Sequence, residues 1–449
     1  MMSRGKRRDA RCNRNLGVAA AGLAPVLLAL AILAAAPVAQ AQTFTVLHNF
    51  TGGADGGQPA SALTMDAAGN LYGTASLGGR TADNCYNTCG TVFRLKRTGQ
   101  SWVLNPLYQF AGGSDGANPA AKVVFGPDGS LYGLTPNGGS SCPNNTQYGC
   151  GTIFNLRPQP TNCVSVFCSW QETVLYRFNG GANDGAVPEG SPTFDHAGNL
   201  YGTTFDGGYS NPNTCAFGQG DTCGTVFELT RAHGDWAESL LHTFLGSRDG
   251  SNPEGGLTFD ASGNLYGTTL SSGPNYGGII FELAPSGSGW TESTLNAFSF
   301  QNDGGYWSRY GVTFDAAGNM YGSTPNGGTD GGGTVFQLQP SSYGWGFTLL
   351  DSFTGSNQTV GPDGDLVMDS AGNLYGVANS IGSNQRGFVF ELSPSPGGWT
   401  YTVLHEFSAS GHEGKFPVGG VVLDAQGNLY GTASAGGTYD KGTVWEITP

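Results

Sequence analysis

Basic residues are scarce in this chain: its 449 residues include 19 lysines and arginines against 33 aspartates and glutamates, a formal charge of −14 at pH 7. Six of the 19 lie in the first 41 residues, so residues 42–449 carry 13 basic and 32 acidic side chains, a formal charge of −19. A field of this sign repels phosphate backbones. We therefore predict no nucleic-acid partner, whereas cations, basic peptides and uncharged glycans remain possible ligand classes.

Motifs of common catalytic sites are also missing. The sequence has no G-x-S-x-G nucleophile motif, no glycine-rich phosphate loop, no EF-hand loop and no C-x-x-C pair. Its six histidines do not form a metal-ligand pattern. Such motifs normally identify nucleophilic, nucleotide-binding and metal-binding sites. We therefore predict no cofactor, no metal site and no assignable catalytic residue.

The first 41 residues differ from the rest. A basic segment, residues 4–14, precedes an apolar run over 18–38, and the small-x-small sequence Ala39-Gln40-Ala41 follows. This order is typical of a secretory signal peptide, and a transmembrane anchor is the alternative because the run is long enough to span a bilayer. We predict a signal peptide over 1–41, cleaved near Ala41, and a single domain over 42–449. We expect a secreted or periplasmic monomer with no membrane contact after cleavage.

Eight cysteines follow residue 41, and they fall into four close pairs. An even number of cysteines in an exported chain indicates disulfides. The sequence does not fix their connectivity, and local pairing is the simplest. Zinc is the alternative, but no pair has C-x-x-C spacing and no histidine lies beside one. The predicted disulfides are Cys85–Cys89, Cys142–Cys150, Cys163–Cys168 and Cys215–Cys223.

A motif of eight residues, D-x-x-G-N-L-Y-G, recurs along the chain with small changes. Its tyrosine is found at Tyr72, Tyr132, Tyr201, Tyr266, Tyr321, Tyr375 and Tyr430. Each copy belongs to a unit with four strand-like pieces, which in the fourth copy are 255–260, 264–270, 277–283 and 289–298. The pieces are short, rich in β-branched and aromatic residues and bounded by turn residues, as strands are. No part of 42–449 has a helical hydrophobic period, so we predict an all-β fold.

Four-stranded units of this size cannot each bury a sheet face alone. Stacking seven of them around an axis covers both faces of every sheet, which is the β-propeller solution. The chain ends are complementary, because 43–50 resembles the fourth piece of a unit and 442–449 resembles the third. We predict a seven-bladed β-propeller closed by strand 43–50, which joins the last blade; an open solenoid is the alternative. The first three strands of the blades are expected near 59–95, 119–157, 188–229, 253–283, 308–338, 362–392 and 417–447.

The repeated motif has the chemistry of a tight turn. Glycine accepts a positive φ, and Asp and Asn hydrogen-bond to the nearby backbone. A structural role is therefore the simplest interpretation. The glycine after the tyrosine, Gly73 in the first copy, lies inside a strand, where glycine is normally unfavourable. We predict that the sheet of a neighbouring repeat packs close against it.

The whole unit, F-x-G-x-x-D-G-x-x-P…L-x-x-D-x-x-G-N-L-Y-G-T-T-x-x-G-G…G-T-V-F-E-L, resembles the GloVer tandem repeat of exported bacterial proteins over essentially all of 43–449. It is also similar to propellers of the NHL and streptogramin-lyase type. The resemblance implies a propeller fold and no established reaction. Proteins of that family often have C-terminal anchors. This sequence ends at Pro449 without one, which favours a free secreted or periplasmic form.

Two sets of carboxylates are candidate ligand-binding residues. If the first piece is innermost, the loop that enters it lies on the same face as the loop joining pieces two and three, and such loops commonly carry binding sites. One position of the entering loop is acidic in six repeats: Asp55, Asp115, Asp184, Asp249, Asp303 and Glu413. The alternative is that each acid only bonds its own turn. Glu189 and Glu254 follow the loop proline and are expected near the central channel, where a suitably spaced pair serves as general acid and base.

Aromatic residues are the other candidates. A tryptophan recurs at the start of the fourth piece, where packing is the simplest explanation: Trp102, Trp170, Trp236, Trp290, Trp345 and Trp399. Trp307 differs because it lies in the entering loop of the fifth repeat. We predict Tyr306 and Trp307 as the aromatic contacts if a glycan binds. Three histidines share a position in the fourth piece that tolerates other residue types, so we expect solvent-facing rim residues there: His48, His242 and His405.

These observations favour an exported binding or interaction module for an extracellular glycan or protein, with no reaction evident. A polysaccharide lyase or hydrolase that uses the central channel is the first alternative, and it requires acid and base groups that converge at the channel mouth. A structural component of the envelope or matrix is the second, and it requires no specialised surface. A broad aromatic groove would favour glycan binding over both.

Overall fold

The computed structural model of this protein describes residues 42–449 except 84, 100, 144–147, 160–169, 216–221, 233, 288, 302–303 and 356–359. The predicted signal segment 1–41, the pair Cys163–Cys168 and the candidate Asp303 lie outside the described residues. Residues Gln42–Pro449 form one compact unit. All described secondary structure is β, in seven antiparallel sheets with four main strands each, as predicted.

In six of the sheets the four main strands run in chain order from the central channel to the rim, and in the seventh the outer strand comes from the amino terminus. The inner strands are Thr64–Met65, Val124–Phe125, Thr193–Phe194, Thr258–Phe259, Thr313–Phe314, Val367–Met368 and Lys415–Leu423. The second strands are Leu71–Leu77, Leu131–Thr135, Leu200–Thr204, Leu265–Thr268, Met320–Thr324, Leu374–Ala378 and Leu429–Ala435.

The remaining strands form the outer half of each blade. The third strands are Thr91–Thr98, Thr152–Pro158, Thr225–Ala232, Tyr276–Ser286, Gly331–Ser341, Phe388–Ser395 and Thr443–Thr448. The outer strands are Ser101–Gln109, Trp170–Arg177, Asp235–Thr243, Gly289–Ser299, Gly344–Thr354, Gly398–Glu406 and Thr43–Asn49. Short additional strands are Gly57–Pro59, Gly185–Ala186, Asp206–Gly207 and Gly364–Asp365.

The ring closes at the seventh blade. Strand Thr43–Asn49 from the amino terminus pairs antiparallel with Thr443–Thr448 at the carboxyl terminus, and it supplies the outer strand that the last repeat lacks. Phe50 then packs edge-on against Phe93 of the first blade, with ring centroids 5.2 Å apart. The predicted seven-bladed propeller and its closing strand are confirmed.

A repeated pair of aromatic rings joins neighbouring blades. The phenylalanine after or at the end of one outer strand lies against the ring in the third strand of the next blade, with centroids 5.0 to 6.0 Å apart. The pairs are Phe50–Phe93, Phe110–Phe154, Phe178–Phe227, Phe244–Phe281, Phe298–Phe336, Phe353–Phe390 and Phe407–Trp445. All of these rings are buried. Because aromatic side chains bury the largest areas, these pairs form much of the core between blades.

The glycine inside each second strand is covered by a ring of its own blade. A Cβ added to Gly267 would lie 2.6 Å from Cζ of Phe281, its cross-strand partner in the third strand. The prediction that a neighbouring repeat covers this glycine is therefore wrong. Glycine is needed because the ring that joins two blades also lies over its own second strand, where no side chain fits.

The D-x-x-G-N-L-Y motif forms a closed set of hydrogen bonds. Asp66 accepts hydrogen bonds from Ala68 N and Asn70 N at 2.9 and 2.8 Å, from Asn70 Nδ2 at 2.7 Å and from the Tyr72 hydroxyl at 3.0 Å. Gly69 has φ +77°, which favours glycine. Equivalent contacts recur at Asp195, Asp260, Asp315, Asp369 and Asp424. The structural interpretation of this motif is confirmed.

Disulfides close the loops between the second and third strands of the first three blades. They are Cys85–Cys89, Cys142–Cys150 and Cys215–Cys223, which confirms three of the four predicted pairs. They fit an oxidising, extracellular environment. In the described part of the chain, no helix is long and apolar enough to cross a membrane.

Candidate ligand-binding face

Two loops of the blades lie on one side of the ring, which we call the loop face. The entering loop leads from an outer strand to the next inner strand, and the second loop joins the second and third strands. Backbone hydrogen bonds connect them, for example from Gly79 N to Gly53 O at 2.7 Å and from Gly139 N to Gly113 O at 2.9 Å. The tight D-x-x-G-N turns connect the other ends of the inner and second strands. The two loops therefore share one face, as the repeat pattern predicts.

The candidate acids of the entering loops bind their own loop and the outer strand before it. Asp55 accepts hydrogen bonds from Thr51 N at 2.9 Å and from His48 Nε2 at 3.1 Å. Asp249 accepts one from His242 Nε2 at 3.1 Å. The other described pairs are Asp115 with Tyr108, Asp184 with Tyr176, and Glu413 with His405. These contacts fix the loops, and binding of a ligand by these acids stays a prediction.

The three rim histidines are partners of these acids. The side chains of His48, His242 and His405 are only 19 to 23% exposed, so the expectation of solvent-facing residues is wrong. Burial acts to raise the pKa of Asp55, but hydrogen bonds from His48 and Thr51 outweigh it and hold this pKa below its ordinary value. The sequence carried a signal for this pairing, because the His or Tyr precedes the acid by seven or eight positions in five repeats.

Two glutamates on outer strands lie near these pairs. Glu238 is close to Asp184, and Glu172 is close to Asp115. Each glutamate has one buried carboxylate oxygen without a hydrogen bond in the described structure. Burial, followed by repulsion from the neighbouring aspartate, raises the pKa of both glutamates to about 7.

We expect these glutamates to make stability fall between pH 4.5 and about 7. A pKa that is higher in the folded state means that the folded protein holds a proton that the unfolded chain has released. The stabilisation is complete below the ordinary pKa of 4.5 and is lost as the pH rises through about 7. The urea midpoint at about pH 5 and about pH 7.5 measures this loss. Glu238→Gln should reduce the difference between the two midpoints, and an unchanged difference would contradict the assignment.

Glu189 and Glu254 lie together beside the central channel. Their carboxyl groups are joined by a hydrogen bond, and Arg309 Nε lies 3.5 Å from Glu254 Oε2. The Tyr310 hydroxyl, which also lines this part of the channel, donates to Asp363. Charged side chains from consecutive blades thus meet at one place on the channel wall.

Burial raises the pKa of both glutamates. Burial raises the pKa of Glu189 well above its ordinary value, and Glu254 adds to the rise by repulsion and by accepting the hydrogen bond. Burial also raises the pKa of Glu254, although Arg309 and the hydrogen bond from Glu189 oppose the rise. Solvent reaches 19% of the Glu254 side chain through the channel, but protein surrounds both groups, so desolvation dominates. The stronger rise at Glu189 favours this residue as the donor of the hydrogen bond to Glu254.

The channel void lined by this pair is small. The void between the inner segments has a volume of about 50 Å³, which is room for one or two water molecules. Carboxyl groups joined by a hydrogen bond are also closer than the separation of about 5 Å or more that most glycosidases use. Lys122 and Asp365 line the channel further along; burial raises the pKa of Asp365, and attraction by Lys122 opposes the rise.

Tyr306 and Trp307 belong to an aromatic cluster on the loop face between the fourth and fifth blades. The Phe300 ring lies 4.6 Å from Tyr306 and 5.8 Å from Trp307, and those two rings are 5.2 Å apart. Trp307 N donates to Gly277 O at 2.9 Å, next to Tyr276 in the chain. Phe300 is 51% exposed and Tyr276 is 73% exposed. We call Tyr276, Phe300, Tyr306 and Trp307 the aromatic patch.

Further exposed tyrosines lie in second loops of the same face. Tyr86 and Tyr209 belong to loops closed by disulfides, and Tyr439 lies in the second loop of the seventh blade; all three are exposed. Tyr86 also contacts Tyr148 edge-on across two blades, at 6.2 Å. Tyrosine is common at binding surfaces because its ring offers a large contact area with little conformational freedom to lose. The loop face thus has the composition of a binding surface.

The tryptophans that recur in the outer strands pack between blades. Trp290 lies edge-on to Tyr201 of the preceding blade, with centroids 6.4 Å apart. The equivalent contacts are Trp102–Tyr430, Trp170–Tyr72, Trp236–Tyr132, Trp345–Tyr266 and Trp399–Tyr321. The packing interpretation of these residues is confirmed.

Several site residues were not found from the sequence. Of the residues that line the channel, only Glu189 and Glu254 were predicted as candidates. Of the aromatic patch, only Tyr306 and Trp307 were predicted. One signal was available for the channel: the position after the loop proline holds a charged residue in four consecutive repeats, in the series Ala60, Ala120, Glu189, Glu254, Arg309, Asp363 and Val418. Among the described residues, no group of three or more His, Cys, Asp or Glu side chains could hold a metal ion.

A family profile and several solved structures are similar to this chain. The Gloeobacter/Verrucomicrobia repeat profile matches residues 35–216 and 212–445, whereas no curated protein matches. The extracellular domain of a putative hybrid two-component system from B. thetaiotaomicron is 11% identical with a TM-score of 0.52, over 91% of this chain and 42% of that chain.

Two further structures are less similar in shape. A polysaccharide lyase, the ulvan lyase of family PL25 with a bound GlcA–Rha3S saccharide, is 11% identical with a TM-score of 0.49, over 88% of this chain and 94% of that chain. A putative oxidoreductase (glucose dehydrogenase) from Thermus thermophilus is 16% identical with a TM-score of 0.41, over 73% of this chain and 96% of that chain. Of these similarities, the one to the extracellular domain, with a TM-score of 0.52 at 11% identity, supports the fold and no activity.

Proposed function

The chain belongs to the Gloeobacter/Verrucomicrobia repeat family, and for it we propose a role as an exported binding module that holds an extracellular glycan on the loop face. The aromatic patch is the observation that carries this proposal. The rings of Phe300, Tyr306 and Trp307 lie within 6 Å of one another, and Phe300 and the neighbouring Tyr276 are largely exposed. An exposed cluster of aromatic rings is unfavourable in water unless a partner covers it.

A sugar ring is the partner that best fits this patch. The C–H groups on one side of a pyranose form an apolar face that packs on an aromatic ring, while its hydroxyls remain available for polar side chains. The loop face supplies such groups around the patch, since its entering loops are rich in Asp, Asn and Ser. The strongly acidic chain also favours a neutral or cationic glycan over an anionic one. The three disulfides agree with a role outside the cytoplasm.

Catalysis in the channel has less support. The Glu189–Glu254 pair has the unequal proton affinities of an acid and a base, but its hydrogen bond leaves no space for a glycosidic oxygen between them. The small void of about 50 Å³ beside the pair also gives no support for a sugar ring at this position. In our proposal the glycan is held on the loop face without being cleaved.

A glycan array combined with a reducing-end release assay tests the proposal. The exported protein should bind a set of neutral or amino-bearing glycans and release no reducing ends from them. Trp307→Ala and Phe300→Ala should each weaken binding about fivefold or more, since an aromatic contact is worth about 1 kcal/mol. Tyr343→Ala is the matched control, because Tyr343 is fully exposed at a hairpin between the third and outer strands.

Each other outcome contradicts the proposal in a different way. Release of reducing ends with no retained binding would favour the polysaccharide-cleaving enzyme. Absence of binding to every glycan would favour a structural role or a protein partner. An equal loss in Tyr343→Ala and Trp307→Ala would show that the aromatic patch is not the binding site.

A further inference from the structure

A second cavity lies away from the loop-face patch, at the rim between the fifth and sixth blades. Its volume is about 340 Å³, and its wall includes Phe353, Ile381, Phe388, Tyr401 and Val403. This volume lies in the range of small-molecule pockets. The walls come from the outer strand of the fifth blade, from the third and outer strands of the sixth, and from residues 381–383 in the second loop of the sixth.

Three aromatic rings meet at this cavity. The Phe353 centroid lies 5.5 Å from Tyr401 and 6.0 Å from Phe388, and the last two rings are 6.3 Å apart. Tyr401 is 37% exposed, whereas Phe353 and Phe388 are buried behind it. The three rings form one aromatic corner with a single exposed face.

The repeats show that this corner is special to one interface. At the position of Phe388 five other repeats have threonine: Thr91, Thr152, Thr225, Thr334 and Thr443. At the position of Tyr401 three repeats have glutamate: Glu172, Glu238 and Glu292. The fifth and seventh blades have the aromatic residues Phe347 and Phe44 at the Tyr401 position, so Phe388 is the ring that is confined to this interface.

Two carboxylates border the same cavity. Asp351 takes the place of the His or Tyr found in five other repeats, and Glu406 is held by the Ser383 hydroxyl at 2.6 Å. Neither acid takes part in an ion pair within the described residues. Burial, and then repulsion from Asp330, raise the pKa of Asp351. Hydrogen bonding by Ser383 and Asn384, and then attraction by His405, lower the pKa of Glu406. No Lys or Arg side chain pairs with either acid within the described residues.

We propose that this cavity binds a small organic cation, an ammonium group joined to an apolar body. The ammonium group would lie between Asp351 and Glu406, where it neutralises charge that the fold leaves unpaired. The apolar body would pack on Tyr401 and Val403, and the aromatic ring would add a cation–π attraction. The site is independent of the proposed glycan function, because it shares no residue with the aromatic patch.

Isothermal titration calorimetry with 2-phenylethylammonium and with neutral 2-phenylethanol, which has nearly the same size and shape, tests this proposal. The cation should bind at least about tenfold more tightly than the alcohol, as expected for a charge-dependent contact. Asp351→Asn should remove most of that difference while it keeps the side-chain shape. Phe388→Thr, which restores the residue of five other repeats, should weaken binding of both compounds.

Glu238→Gln is the matched control, because it changes the position equivalent to Tyr401 at another interface; it should leave both affinities unchanged. Circular dichroism establishes that each variant is folded, and if Phe388→Thr fails this check, Asp351→Asn decides the outcome alone. Equal affinities for the amine and the alcohol, or an Asp351→Asn protein that keeps the preference, would overturn the proposal.

Discussion

A chain that begins at Thr51 will lose most of its stability, although it lacks only nine described residues. Strand Thr43–Asn49 is the outer strand of the seventh blade, and Phe50 is fully buried against Phe93. Loss of one buried phenylalanine ring costs about 3 to 5 kcal/mol, and the exposed edge of Thr443–Thr448 adds to that cost. We expect a fall in unfolding free energy of at least about 5 kcal/mol, measured by urea unfolding followed by circular dichroism.

A circular permutant is the matched control for this deletion. In it, residues 42–50 follow Pro449 through a short turn, and the chain begins at Thr51. The antiparallel pairing places Thr43 opposite Thr448, so a two- or three-residue turn, as between other third and outer strands, connects them. The permutant should recover nearly all of the lost stability. A truncated chain that is as stable as the full protein would show that closure by this strand contributes nothing.

Substitution of Gly267 by alanine will destabilise the fourth blade strongly for a single methyl group. The added Cβ would lie 2.6 Å from Phe281 Cζ, and Phe281 is fully buried between Gly267 and Phe244. The ring cannot move away without losing its contact with the third blade. Forcing extra volume into a packed core costs about 1 to 3 kcal/mol. We expect a value near the upper end, measured as the change in unfolding free energy.

The double variant Gly267→Ala/Phe281→Leu separates this clash from other effects of alanine. Phe281→Leu alone removes part of a buried ring and should cost stability. In the Phe281→Leu protein, Gly267→Ala should lower the unfolding free energy much less than in the wild-type protein, because leucine lacks the Cζ atom that the added Cβ would contact. Additive costs would contradict the clash. Gly69→Ala serves as a contrast, because nothing lies near its Cβ and only its φ of +77° resists the change.

The repeated features of the fold were predictable because the same turn and strand residues recur in seven copies, and each copy must form the same local structure. The acid and glycine of each D-x-x-G-N turn, such as Asp66 and Gly69, form local contacts that need no knowledge of the rest of the chain. Ring closure was predictable because 43–50 resembles the fourth piece of a unit but is not preceded by the other three pieces, whereas the last unit lacks a fourth piece. Pairing of the nearest cysteines, such as Cys85 with Cys89, also follows from chain proximity.

Contacts between strands were less accessible to sequence reasoning. Gly73 required something close above it, but the sequence did not reveal that the ring was Phe93 of the same blade. His48 shares its position with residues of different chemistry, which suggested exposure, whereas its actual partner Asp55 lies seven positions along the chain. In both cases the error came from the missing register between neighbouring segments.

The candidate sites lie where the repeats differ from one another. Residues that occur in a single repeat cannot be recognised by their recurrence along the sequence. Glu189 and Glu254 were found because both follow a proline, but Arg309 follows a serine and went unnoticed. Phe388 and Asp351 replace framework residues in single repeats, and their proximity depends on packing of two blades. Only the assembled ring brings such residues together.

Amide hydrogen exchange of strand Thr43–Asn49 in the intact protein tests the closed seven-bladed ring most directly. The amides of this strand that bond to Thr443–Thr448 should exchange as slowly as those of the third strands, because the last blade opens as one cooperative unit. Exchange of 43–49 at the rate of an unstructured peptide, with slow exchange elsewhere, would contradict closure, and with it the single loop face on which the proposed glycan site depends.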